Sequence, residues 1–356
     1  MKELYDQDFI NTLPEISGKW KAPLISYIAK EHNNYCKNLK NFIEQWYEKI
    51  EDKKKEDSYK RLRSQNDDEL KAKINEFLVA EFCSSIGNIE FDPTIKDGKT
   101  PELLWFIDNK KALLDVVTLS PQEDVKKENH DIDILLNYLK NIESDKYNLI
   151  IHYDYISRGF KPKEIKLEID RYLEKICDKS NYIEPLYIDK DYFRGEIDFI
   201  PRKSDDKRKV ELGVSQPARM IEPVKSISKR IKGKLSKYKW DGPIFVAICS
   251  NSSFGCDWED VAEVLYGKEI YDYNINTGET ILKIDASGMV MPKSNGGILN
   301  TSLTGVLHCE IININDKPCL NVRYLKNPFS KYKVDINIPT YPKCDSEKIY
   351  FEWENN

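Results

Sequence analysis

The chain has 356 residues, 40% of them hydrophobic and 11% aromatic, and this composition excludes an intrinsically disordered chain. The formal net charge of −5 excludes a general attraction to nucleic acid, so such binding requires a local basic patch. No apolar run is long enough to cross a bilayer, and the first residues do not form a signal peptide. We therefore expect a cytoplasmic protein that does not bind membranes.

The eight cysteines form no CxxC pair, and no histidine cluster accompanies them. They predict reduced thiols with structural roles, as is typical of cytoplasmic proteins, and they do not predict a zinc site. The abundance of Lys, Asn and Ile is typical of a bacterial genome rich in AT base pairs. A homo-oligomer is compatible with the sequence.

Three regions follow one another along the chain. Residues 1–66 predict a polar helical extension, residues 67–250 an α/β core, and residues 251–356 a β-rich C-terminal region that packs on the core. The core begins with a helix over residues 67–86, which has acids in its first turn and Gly87 as its stop. The predicted fold class is α/β, with a mixed central sheet flanked by helices.

The later elements of the core alternate between strands and helices. Short apolar runs predict the strands, and apolar residues at helical spacing predict the helices. In chain order we predict strands over residues 89–95, 103–107 and 112–119, a helix over 132–142, a strand over 148–153, a helix over 162–177, strands over 187–201 and 210–214, a helix over 222–238 and a strand over 243–249.

One acidic residue, Asp115, lies inside the apolar run ALLDVVTL of residues 112–119. A buried carboxylate is costly unless it is paired, hydrogen-bonded or bound to a cation. Glu102 opens the preceding strand directly after Pro101, and a turn over residues 108–111 would join the two strands as a hairpin. Both acids then converge at the end of the hairpin remote from the turn. They would form an oxygen-rich site suited to Mg²⁺ or Mn²⁺.

The preceding helix offers a third acid for this site, either Glu81 or Glu76. The structural alternative is that Asp115 pairs with a lysine or accepts hydrogen bonds from backbone amides in a tight sheet. For a single acid that alternative would be preferred. The metal site is favoured because three acids follow in order: one on a helix, one after proline and one inside a strand.

The helix acid, the pair Pro101–Glu102 and the strand segment Asp115-Val116-Val117 together resemble the PD-(D/E)xK nuclease superfamily. The resemblance implies a restriction-endonuclease-like core over residues 67–250. It also implies that Glu81, Glu102 and Asp115 bind Mg²⁺ or Mn²⁺, with Glu102 and Asp115 as catalytic residues. The implied activity is hydrolysis of phosphodiester bonds in DNA or RNA, in a setting such as bacterial defence.

The sequence departs from the family pattern at Val117, where the family has a lysine that positions or activates the attacking water. This lysine is relocated to a neighbouring element in some members of the superfamily. Lys234, on the predicted basic helix, is the preferred catalytic substitute, and Gln122, just past the strand, is a polar alternative. The main rival to a magnesium-dependent endonuclease is therefore an inactive module that keeps the fold and binds nucleic acid or a protein partner.

The segment from Lys225 to Trp240 is rich in basic residues and contains no acid. In one interpretation it contacts a nucleic-acid backbone, and Tyr238 or Trp240 is available for stacking. The residues predicted to bind the backbone are Lys225, Lys229, Arg230, Lys232 and Lys237. In the other interpretation the helix is amphipathic and its lysines are merely solvated. Its apolar positions would be Ile227, Ile231 and Leu235. The two interpretations are compatible, and contact with an acidic protein is a third.

Overall fold

A computed structural model shows the chain as two compact units. The first unit combines Met1–Leu13, Pro23–Ser120 and Ile221–Asn356, and the second combines Pro14–Ala22 and Pro121–Met220. The predicted core over residues 67–250 thus includes residues of both units. The residues that the structure describes are 3–16, 22–119, 123–140, 142, 146–157, 159–176, 183–202, 211–215, 223–250, 256–273, 275, 277–278, 280–344 and 349–350.

Helices precede the central sheet in the first unit and return between its strands. The helix that begins at Asp67 has a clear start, because the Asn66 side chain accepts a hydrogen bond from the Asp68 amide and acids fill the first turn. No described helix has the length and apolarity needed to cross a membrane. The helices are α1 (Gln7–Thr12), α2 (Leu24–Ala29), α3 (Asn34–Glu48), α4 (Lys55–Leu62), α5 (Asp67–Ser84), α6 (Glu123–Leu139), α7 (Pro162–Lys175), α8 (Pro223–Lys237) and α9 (Trp258–Tyr266).

The strands are β1 (Asn88–Phe91), β2 (Leu103–Ile107), β3 (Lys110–Leu119), β4 (Tyr147–Ile156), β5 (Leu186–Lys190), β6 (Phe193–Pro201), β7 (Leu212–Ser215), β8 (Ile244–Ser250), β9 (Glu269–Tyr273), β10 (Thr280–Ile284), β11 (Leu303–Ile314), β12 (Lys317–Lys326), β13 (Thr340–Tyr341), β14 (Lys343–Cys344) and β15 (Ile349–Tyr350). The central sheet of the first unit has the order β1-β2-β3-β8-β11-β12-β13. Strands β1 to β3 pair antiparallel, whereas β8 runs parallel to both β3 and β11. The predicted α/β class with a mixed sheet flanked by helices is confirmed.

The two faces of the central sheet carry different buried clusters, because side chains alternate along each strand. Leu114 and Val116 of β3 share a cluster with residues of α3 and α5, and we call this side the α5 face. Val117 shares another cluster with Ile227 and Ile231 of α8, and we call that side the α8 face. Asp115 is two residues before Val117 and therefore lies on the α8 face.

The strand predicted over residues 148–153 is not a neighbour of β3. It is β4, and it pairs within the four-stranded sheet β5-β6-β4-β7 of the second unit. The partner of β3 is β8, which is buried at every position from Ile244 to Cys249. Over residues 148–153, β4 instead alternates between half-buried and buried positions. Such alternation suits a sheet covered on one face, whereas a parallel strand in the middle of a sheet is covered on both.

The predicted C-terminal region contributes directly to the central sheet. Strands β11 and β12 form a long hairpin, and β11 also pairs with β8. Helix α9, which follows β8, was not predicted from the sequence. Its start is fixed by a capping box in which Asp257 and Asp260 each accept a hydrogen bond from the other's backbone amide.

Candidate functional site

A tight hairpin between β2 and β3 sets the position of the two acids. Asp108 and Asn109 form its turn with φ values of 48° and 56°, which short polar side chains tolerate well. Pairing of Leu103 with Leu114 then places Glu102 beside Asp115 at the opposite end of the hairpin. The predicted hairpin and the convergence of the two acids are confirmed, although the turn is two residues long instead of four.

Asp115 is almost completely buried, with 2% of its surface exposed. Its Oδ1 accepts hydrogen bonds from the Glu102 backbone amide at 3.3 Å and from the Tyr238 hydroxyl at 2.9 Å. Among the described residues its Oδ2 has no hydrogen-bond donor, although the Lys234 Nζ is 3.5 Å away. One carboxylate oxygen is thus held by two donors, and the other remains available for a cation.

Glu102 is less buried and completes a reciprocal arrangement between the strands. Its Oε2 accepts a hydrogen bond from the Val116 amide at 3.3 Å, while its own amide donates to Asp115. Its Oε1 accepts a 2.7 Å hydrogen bond from the Lys234 Nζ, and both side chains in this pair are about one-fifth exposed. Each carboxylate therefore uses one oxygen to hold the hairpin and turns the other towards Lys234.

Helix α8 supplies the positive charge of the site. Burial raises the pKa of Asp115, and this effect is opposed by the charge of Lys234 and by the hydrogen bond from Tyr238. Burial also lowers the pKa of Lys237, although the charge of Asp115 favours its ammonium form. The ionised form of Asp115 thus depends on cations and donors that come from α8 and the residue after it.

Tyr238 follows the last residue of α8 and lies between the site and an apolar cluster. It is buried in a cluster with Leu113 and Ile244, and burial raises its pKa far above the ordinary value. Its hydroxyl therefore stays protonated and donates to Asp115. From the sequence, Tyr238 is expected only to stack on a base. Tyr238 is four residues after Lys234, and this spacing places both side chains on one side of a helix. The spacing was therefore the sequence signal that Tyr238 lies at the same site as Lys234.

The structure does not bring Glu81 to the carboxylate pair. Glu81 lies on α5, which packs on the face of the sheet opposite to Asp115, and its Oε2 accepts a 2.7 Å hydrogen bond from the Trp46 Nε1. The alternative acid, Glu76, pairs with Arg61 and Lys73 instead. Within the part of the chain that is described, no group of three or more His, Cys, Asp or Glu residues is arranged to hold a metal ion. Gln122 lies outside the described residues.

The predicted amphipathic character of α8 is confirmed. Ile227 and Ile231 are buried, and Leu235 packs against the same cluster. The other side of the helix is exposed and basic at Lys225, Lys229, Arg230 and Lys232, whereas Lys237 is only partly exposed. Arg230 also donates a 3.2 Å hydrogen bond to the Thr118 carbonyl, which ties the exposed basic side to the end of β3.

The geometry thus joins three of the predicted residues, Glu102, Asp115 and Lys234, and leaves Glu81 apart. Val117 is 3% exposed within the apolar cluster of the α8 face. Two carboxylates and one ammonium at a strand end can bind a cation, hold an anionic group or simply neutralise one another. Comparisons of the chain with family models, curated proteins and solved structures found no match.

Proposed function

We propose that the protein is a metal-dependent nuclease that hydrolyses phosphodiester bonds of DNA or RNA with Mg²⁺ or Mn²⁺. The observation that carries the proposal is the meeting of Glu102, Asp115 and Lys234. They come from β2, β3 and α8, and Lys234 lies 2.7 Å from one acid and 3.5 Å from the other. Clusters of charged groups with a raised carboxyl pKa are found more often at functional sites than elsewhere.

The order of elements around the site supports the proposal. In the first unit, α5 is followed by β1, β2 and β3, and then, after the segment Pro121–Met220 of the second unit, by α8 and β8. This is a helix, three strands, a helix and a strand, with the last strand parallel to the third. The PD-(D/E)xK superfamily, which the motif resembles, has the same order. The segment Pro121–Met220 would then be an insertion between the third strand and the second helix of a restriction-endonuclease-like core.

The donor set fits Mg²⁺ or Mn²⁺. Both metals prefer oxygen ligands, and Mg²⁺ is commonly held by one or two carboxylates, with water and substrate phosphate completing its coordination. Glu102 is accessible to solvent, and Asp115 has a buried oxygen without a hydrogen-bond donor among the described residues. Two carboxylates without further His or Cys ligands are a poor fit for zinc. Glu102 and Asp115 would therefore hold the metal, without Glu81.

The residues around the carboxylate pair would each have a task in this reaction. When bound, the metal would polarise the scissile phosphate and lower the pKa of a bound water. Lys234 would stabilise the negative charge that develops on the phosphate oxygens. Tyr238 would keep the Asp115 carboxylate in one orientation, and the exposed basic side of α8 would contact the nucleic-acid backbone. A role in bacterial defence is a further part of the proposal and depends on the family resemblance alone.

A second candidate function is binding of nucleic acid or a protein partner without catalysis. The specific observation in its favour is that the carboxylates already have a counter-charge without a metal, because Lys234 pairs with both of them. Val117, which has replaced the motif lysine, is an ordinary core residue of the α8 face. In this case the ion pair would stabilise the fold, and the basic side of α8 would bind the partner.

A cleavage assay with matched variants distinguishes the two functions. The purified protein is incubated with single- and double-stranded DNA and RNA in the presence of Mg²⁺, Mn²⁺ or a chelator. We expect cleavage that requires the metal and that falls at least about 100-fold in Asp115→Asn, Glu102→Gln and Lys234→Met, the size of effect seen when a group that stabilises transition-state charge is removed. The control is Asp108→Asn, the same change at the turn of the same hairpin, which should leave cleavage unaltered.

Two outcomes would contradict the nuclease proposal. Cleavage by Asp115→Asn at the wild-type rate would show that the site is not where hydrolysis occurs. Salt-dependent binding of nucleic acid by the wild type, without cleavage and without Mn²⁺ binding in calorimetry, would support the non-catalytic function. Circular dichroism of each variant would establish that a loss of cleavage is not a loss of folding.

A further inference from the structure

The two carboxylates already share a cation, which is the ammonium group of Lys234. Its Nζ lies 2.7 Å from the Glu102 Oε1 and 3.5 Å from the Asp115 Oδ2. The other oxygen of each acid is taken, because the Val116 amide donates to the Glu102 Oε2 and two donors hold the Asp115 Oδ1. The lysine therefore uses the same two oxygens that remain for a metal.

A divalent ion and the lysine ammonium cannot occupy this position together. An ion bound by both oxygens would lie about 2.1 Å from each of them. The Lys234 Nζ is already in hydrogen-bond contact with one of these oxygens, so the two cations would be nearly in contact and would repel each other strongly. The protein must separate the lysine from the carboxylates before a metal can bridge them.

We propose that Lys234 is the resident cation of the carboxylate pair and that a divalent metal binds there only by displacing it. The inference rests on the proposed function, because it takes Mg²⁺ or Mn²⁺ as the competing cation. The side chain of Lys234 is 22% exposed and has a flexible four-carbon stem, so it can leave the pair without unfolding of α8. Lys234 then lowers the metal affinity of the free protein.

This exchange links metal binding to the contact with substrate. A lysine that leaves Glu102 loses its partner and becomes available to an anionic group at the site. A phosphate that binds the released ammonium stabilises the displaced arrangement, and it also offers oxygen ligands to the metal. Metal and nucleic acid therefore favour each other's binding, and each binds the free protein more weakly than it binds in the presence of the other.

Calorimetric titration of Mn²⁺ into the full chain without nucleic acid tests the exchange. Lys234→Met keeps most of the side-chain volume and removes the competing ammonium. We expect it to bind Mn²⁺ at least about tenfold more tightly than the wild type, the contribution of one strong hydrogen bond between charged groups. Lys232→Met removes the same charge from an exposed position of the same helix. It should change the affinity less than about twofold, because distant exposed charges are screened.

A second measurement follows the same exchange through stability. Without metal, Lys234→Met should unfold at a lower temperature than the wild type, because two neighbouring carboxylates lose their counter-charge. Saturating Mn²⁺ should then raise the unfolding temperature of the variant by more than that of the wild type, in line with its tighter binding. Lys234→Gln, which keeps a neutral donor, replaces the methionine variant if that variant does not fold.

The outcomes separate this inference from the proposed function. If the wild type binds Mn²⁺ and Lys234→Met binds it with equal or lower affinity, the displacement is wrong and the metal-dependent nuclease stands. If neither protein binds Mn²⁺, both proposals are overturned. If Lys234→Met alone gains affinity and Lys232→Met does not, the lysine is the competing cation.

Discussion

Tyr238→Phe removes one hydroxyl and leaves the aromatic ring, so it measures how much the site depends on the Tyr238 hydrogen bond. The hydroxyl donates to the Asp115 Oδ1 at 2.9 Å, in surroundings where Asp115 is 2% exposed. After the substitution, the donor that remains to this oxygen among the described residues is the Glu102 amide at 3.3 Å. A hydrogen bond to a buried charged group contributes about 1.5–3 kcal/mol. We expect the free energy of unfolding to fall by about 2 kcal/mol, since the packing of the ring against Leu113 is unchanged.

Urea unfolding of the wild type and two variants measures this loss. The control is Tyr332→Phe, which deletes a hydroxyl that donates to the exposed Asp241 carboxylate at 2.5 Å. Water replaces that exposed bond, so the control should lose less than about 0.5 kcal/mol. Equal losses in the two variants would refute the reasoning, because they would mean that the burial of Asp115 adds nothing to the strength of its hydrogen bond.

Two further stability predictions concern the helices on either side of the central sheet. Gly233→Ala should raise the free energy of unfolding by about 0.5–1 kcal/mol, because a Cβ at this exposed position in α8 meets no atom within 4 Å beyond its chain neighbours and the backbone of its own helix, and the unfolded chain loses entropy. A loss of stability in urea unfolding would contradict this prediction. Glu76→Gln should cost about 3–5 kcal/mol, because it removes the charge that pairs with the buried ammonium of Lys73 at 2.7 Å. The control is Glu56→Gln, which removes the exposed partner of Lys60. If both variants lose the same free energy of unfolding in this assay, burial of the ion pair is not the reason for the loss.

The parts of the fold that depend on local signals were predictable from the sequence. The start of α5 was visible as acids before an apolar period, and it is observed at Asp67. The β2–β3 hairpin was visible as two apolar runs separated by Asp108 and its neighbours, and the turn lies there. The amphipathic basic helix was visible as isoleucines among lysines, and it runs from Pro223 to Lys237. Each of these elements is determined within about 20 residues of chain.

The pairing of strands was not predictable in the same way. Leu113 of β3 pairs with Ile244 of β8, and the segment Pro121–Met220 of the second unit stands between them in the chain. From the order of strands along the chain, β4 would be expected to pair with β3, because consecutive elements are usually neighbours in space. The side of the sheet on which a helix packs is also a tertiary property. The acid of Glu81 could therefore be assigned to a helix from the sequence, but not to the face of the sheet opposite to Asp115.

The packing of α8 explains why residue 117, where the resemblance would place a lysine, is a valine. The residue lies on the same face as Asp115, in a buried cluster with Ile227, Ile231 and Ile248. A lysine there would have its ammonium among apolar side chains, at a large desolvation cost. Lys234 is three residues beyond Ile231, where the same helix reaches the carboxylates and is partly exposed. Because α8 covers Val117 and also delivers Lys234, one packing arrangement disfavours a lysine at residue 117 and places a lysine at the carboxylates. Val117 by itself is therefore not an argument against catalysis.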